Sequence, residues 1–121
     1  MEKRILTEQL MTEIIRERAL KICQLSLEIT TRRLAQARAE VHGPINTFSA
    51  EVRPIDAPIS GDSPLLAELR MELDHYDFYS PKEQEQDFSR RLKEADQYIA
   101  YLNLILARGT AMTMEAVRGA A

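Results

Sequence analysis

From Leu6 to Val41 the chain carries no glycine and no proline, and Gly43 and Pro44 follow almost at once. Glycine and proline cost a helix interior about 1 and about 3 kcal/mol relative to alanine. A run of this length without either therefore predicts one long helix, closed by His42-Gly43-Pro44. Thr7 has the place of an N-cap, and Leu6 with Met11 has the spacing of a hydrophobic staple. At ~1.5 Å per residue such a helix would span ~50 Å. Its apolar residues fall in two rows. Leu20, Cys23, Leu27, Thr30, Leu34, Ala37 and Val41 step by three and four, as in a coiled-coil seam. Ile15, Ile22 and Ile29 recur every seven residues, and Leu25 belongs to neither row. Between Ala19 and Ile29 the helix is thus apolar nearly all round, which calls for two neighbours.

Residues 42–62 hold Pro44, Pro54 and Pro58 and read as a long loop or arm, since each proline excludes a continuous helix. Ser63-Pro64 then reads as the start of a second helix carrying Leu66, Leu69, Leu73 and Tyr76 on one face. Ser80-Pro81-Lys82-Glu83 is a capping box with proline at the first helical position. It opens a third helix with Phe88, Leu92, Ala95, Ile99, Leu102 and Leu106 at steps of four and three, ending near Arg108-Gly109. Residues 110–121 read as a flexible tail. The expected fold is a single all-α domain over residues 1–121. One long helix, a shorter middle one and a long C-terminal one form a bundle completed by oligomerisation. The apolar surplus places Ile15, Ile22, Leu25 and Ile29, together with Tyr98, Tyr101 and Ile105, at the interface of a homodimer.

At 121 residues and net charge −3, the chain has no nucleic-acid footprint, which would need a strongly basic domain. Arg32, Arg33 and Arg38 cluster, but six acids between Glu2 and Glu40 dilute the basic groups of this stretch. One cysteine excludes an internal disulfide, and no apolar run approaches the ~20 residues of a membrane helix. A cytoplasmic location is expected. Catalytic groups are scarce. There are two histidines, His42 and His75, no glycine-rich phosphate loop, and too few Cys and His for a zinc set.

The acids are unevenly placed. Eight of them lie between Asp62 and Asp87, against only Arg70 and Lys82. Two readings follow. In the first, the segment is a binding surface for another protein, possessing a basic surface, with Glu68, Glu72, Asp74, Tyr76, Phe78 and Tyr79 as contacts. The protein is then a non-catalytic interaction module of inhibitor, antiactivator or chaperone type, and no cofactor is expected. In the second, carboxylates four residues apart at Glu68 and Glu72, with Asp96 on the next helix, hold a cation. This arrangement resembles the all-α nucleoside-triphosphate pyrophosphatases of the MazG type, over about 40 residues. Leu69 and Lys93 stand where that pattern has glutamates. The resemblance implies Mg²⁺ at Glu68, Glu72 and Asp96, held with water and phosphate oxygens. Glu72-x-x-His75 also has the spacing of a di-iron half-site, which needs a second copy of the motif.

Overall fold

The computed structural model describes residues 7–58, 64–74 and 79–119. It is not a helical bundle. The order is α1 (Glu8–Thr31), β1 (Gln36–His42), a 3-10 turn (Gly43–Ile45), β2 (Thr47–Arg53), β3 (Ala67–Glu72), α2 (Pro81–Arg108) and α3 (Met114–Gly119). The three strands form an antiparallel sheet in sequence order. The class is α+β, which corrects the all-α expectation.

The expected long first helix is two elements. Thr7 does cap it, accepting the Leu10 N–H at 3.1 Å. The helix then ends at Thr31, with Arg33 in the left-handed region at φ 56°. From Gln36 the pattern changes period. Ala37, Ala39 and Val41 alternate with Arg38, Glu40 and His42, the apolar–polar rhythm of a strand. The same rhythm runs through Phe48, Ala50 and Val52 of β2, where a long loop or arm is expected. Leu69 and Met71 repeat it in β3, which stands where a middle helix is expected.

The register sorts these residues into two faces. Val41, Phe48 and Met71 lie in one cross-strand row, and Ala39, Ala50 and Leu69 in the next. These rows face the helices. The alternate rows, Arg38–Glu51–Glu68 and Glu40–Ser49–Arg70, face away from them. α1 packs on β1, α2 on β3, and the two helices pack on each other. Ile15, Ile22, Ile29, Phe48, Val52, Leu102 and Ile105 are fully buried in the shared core. Each such side chain contributes about 1.5–3 kcal/mol of transfer free energy.

The two long helices run parallel. Arg18 of α1 pairs with Asp96 of α2 at 2.7 Å, and Arg32 beyond the end of α1 lies beside Gly109 beyond the end of α2. α2 begins and ends as its sequence predicts. Ser80 and Glu83 exchange both bonds of a capping box, and Gly109 stops the helix at φ 63°. The following chain is docked. The Met112 N–H donates to the Leu34 carbonyl at 2.7 Å, and the Met112 carbonyl accepts from the Ile55 N–H at 2.8 Å. The Met114 N–H donates to the Asp56 carboxylate at 2.8 Å. This stretch ties the α1–β1 turn to the end of β2.

Candidate functional site

Among the described residues, the helices cover one face of the sheet and leave the other bare. That face is built by strand alternation, and charged side chains dominate it around Ser49 and the buried Thr47. Arg38 pairs with Glu40 on its own strand and with Glu51 across the strand at 3.7 Å. Glu51 also meets Arg53 at 3.1 Å. Glu68 and Arg70 on β3 are both exposed, and neither makes an ion pair among the described residues. Arg38, Glu40, Ser49, Glu51, Glu68 and Arg70 line a shallow groove across this face.

At the end of β1, His42 Nε2 lies 3.3 Å from Glu40 and 3.1 Å from Ser49 Oγ. A serine, a histidine and an acid together invite comparison with a hydrolytic triad. The geometry does not fit one, because the acid and the hydroxyl meet the same ring nitrogen. A relay needs the acid on the opposite nitrogen, to orient the base.

The expected partner-binding residues are dispersed. Glu68 and Glu72 share the bare face, two rows apart. Glu72 and Tyr79 line a second depression with Arg70, Asp87, Arg90 and Arg91. Asp74 lies apart from both, where its carboxylate accepts from the Asn46 amide nitrogen. Tyr76, Phe78 and His75 lie outside the described residues. Arg91 holds this corner together. Its side chain is 3% exposed, and Nη1 donates to the carbonyls of Glu72 at 2.6 Å and Asp74 at 3.2 Å. Its Nη2 pairs with Asp87 at 2.8 Å. The end of β3 is thereby fixed to α2 by one buried guanidinium.

The carboxylates of the Mg²⁺ reading do not come together on neighbouring helices. Glu68 and Glu72 are on β3, and Asp96 is engaged by Arg18. Among the described residues no group of three or more His, Cys, Asp or Glu could hold a metal ion. The resemblance to the all-α pyrophosphatases loses the helix that carried it.

The residues expected at a dimer interface fall inside one chain. Ile15, Ile22, Leu25, Ile29, Tyr98 and Ile105 are buried in the core of the chain, and Tyr101 packs against it half-buried. Their partners are the sheet and the other helix. Desolvation pushes the Tyr98 phenol well above its ordinary range. The other apolar row behaves differently. Leu20 is 60% exposed and Leu27 67%, with Val41 of β1 at 64%. Cys23 between them is half-buried, and its desolvated thiol is pushed up, which makes it a poor nucleophile.

Sequence reasoning missed Arg38, Ser49 and Arg70 as members of one surface. The signal was present, since each holds an outward position in a run of strict alternation. No helix among the described residues is long and apolar enough to cross a membrane. No protein-family model, no curated protein and no solved structure matches this chain.

Proposed function

We propose that the chain is a small non-catalytic interaction protein that binds and occupies a partner protein, in the manner of an inhibitor, antiactivator or chaperone. One observation carries this reading. Among the described residues, the sheet has a bare face on which Glu68 and Arg70 stand exposed without ion-pair partners. An exposed row of opposite charges favours a partner that reads both signs, rather than a uniformly basic one. Charge patterns of this kind steer encounter and reject wrong partners more than they add raw affinity.

The test is affinity purification from the native host with the wild-type chain and with the Glu68→Lys/Arg70→Glu variant. Both substitutions are on the solvent side of β3, so the melting temperature should be unchanged. A stoichiometric partner retained by the wild type and lost by the variant is expected. Recovery of the wild type with no stoichiometric partner, or equal retention by both, would refute the reading.

A further inference from the structure

The outer edge of β1 has an unusual status. The Thr30 hydroxyl donates to the Ala37 carbonyl at 3.0 Å and accepts the Ala37 N–H at 3.3 Å. The backbone groups of Ala37 therefore point away from β2. In an antiparallel ladder the direction repeats every second residue. Ala39 and Val41 accordingly present their N–H and C=O groups outward as well. Such an edge is a template for another strand.

Among the described residues, Leu20, Leu27 and Val41 beside this edge are apolar and exposed. On a helix wheel, Leu20, Cys23 and Leu27 lie on the flank of α1 that also carries Thr30, the residue touching β1. Four strand residues advance ~13 Å, about nine helix residues. That sets Val41 abreast of the helical turn holding Leu20. Leu20, Leu27 and Val41 thus border one strip, the most exposed large apolar side chains of α1 and β1. Among the described residues, the β3 strand at the other edge carries no exposed large apolar side chain. On β3 the inward residues Leu69 and Met71 are already buried, and Arg91 occupies the Glu72 carbonyl.

We propose that this strip is covered by a second copy of the same chain, with β1 pairing antiparallel to β1 about a two-fold axis through Ala39. The charge pattern selects the occupant and the register. Centred on Ala39, the pairing sets Arg38 opposite Glu40 of the second copy, and Glu40 opposite its Arg38. Both contacts are of opposite sign. Centred on Glu40, it would set the two Glu40 side chains against each other, and like charges directly opposite are destabilising. The chosen register also places Val41 across from Ala37 of the second copy. It brings the two α1 flanks side by side on the covered face of a six-stranded sheet. Thr30 keeps the ladder short, because it already holds the edge groups of Ala37. The pairing takes up Arg38 and Glu40 at the β1 border of the bare face and leaves Glu68 and Arg70 of β3 open, so it stands independently of the partner-binding reading above.

The test is sedimentation equilibrium of the full chain at low ionic strength, across a wide concentration range. The wild type should be a dimer at micromolar concentrations. Arg38→Glu alone and Glu40→Arg alone each turn both cross-axis contacts into repulsions and should weaken self-association roughly tenfold or more. An equimolar mixture of the two variants restores opposite signs across the axis and should regain the dimer. Both side chains are solvent-facing, so melting temperatures should move little. Ala39→Pro removes an outward N–H that β2 does not use, and should also abolish the dimer. A wild type that stays monomeric throughout overturns the proposal. So does a dimer that neither charge variant weakens. Partner capture that persists in a monomeric chain would leave the function proposed above standing while this pairing fails.

Discussion

Replacing Arg91 with alanine should be among the most damaging single changes outside the apolar core. The guanidinium is nearly inaccessible, and its contacts include the carbonyls of Glu72 and Asp74 and the carboxylate of Asp87. Breaking a buried ion pair by removing one partner costs about 3–5 kcal/mol. Asp87 retains Arg90 at 2.6 Å, so its carboxylate is not left uncompensated. The two carbonyls terminate β3 and can reach water once the corner opens. Both facts place the loss at the lower end, about 3 kcal/mol. With a urea slope of about 2 kcal/mol/M for a chain of this size, the unfolding midpoint should fall by about 1.5 M. Arg91→Lys keeps a charge but can satisfy only part of the fork, and should lose about half as much. Arg90→Ala is the control. Arg90 is 60% exposed, and its pairs with Asp87 and Glu94 should contribute under about 1 kcal/mol. All variants must be compared at one protein concentration, because self-association adds to apparent stability. If Arg91→Ala lost no more than Arg90→Ala, the buried guanidinium would not be what joins β3 to α2. Hydrogen exchange gives a second readout, since amides at the Glu72 end of β3 should lose protection first.

Two further outcomes follow from the helix ends. Hydrogen bonds from the Ser80 backbone and side chain hold the Glu83 carboxyl below its ordinary value. Their contribution is fully present above the ordinary carboxylate range and is lost as pH falls through the lowered value. Ser80→Ala should move the Glu83 titration upward in an NMR pH series and cost about 1 kcal/mol of helix capping. Backbone strain gives opposite signs at two sites. Gly109→Ala places a Cβ at φ 63° with room around it, so the cost is conformational, about 1 kcal/mol, and melting should fall by a few degrees. Arg33→Gly relieves the same strain at φ 56° and should raise the melting temperature.

The legible parts of the chain were those where local chemistry dictates one outcome. Ser80-Pro81-Lys82-Glu83 can hardly be anything but a helix start, and Gly109 supplies the left-handed stop. The boundary after α1 carries no such mark, because the left-handed position is filled by Arg33 instead of glycine. The strands are written in helix formers. Gln36-Ala37-Arg38-Ala39-Glu40 and Ala67-Glu68-Leu69-Arg70-Met71-Glu72 both favour helix by propensity, and only their two-residue period reveals the sheet. Tertiary packing against the two helices overrides the propensity. The candidate surface was half legible for a geometric reason. Residues four apart share a face on a helix and on a strand alike, so Glu68 and Glu72 are cofacial either way. Arg70 joins them only on a strand, and Arg38 only once the strands pair. An acidic stretch in the linear sequence thereby becomes a face of mixed sign.

The parallel course of α1 and α2 has an electrostatic consequence. Each helix concentrates roughly half a negative charge at its C-terminal end. Because both ends lie together, the two partial charges add, giving one pole of the molecule a field worth about a full charge. Arg32 and Arg33 follow the end of α1, and Arg108 closes α2. Two of the three arginines that cluster in the sequence, Arg32 and Arg33, are therefore counter-ions to the protein's own backbone, and the polarity they offset is set by topology.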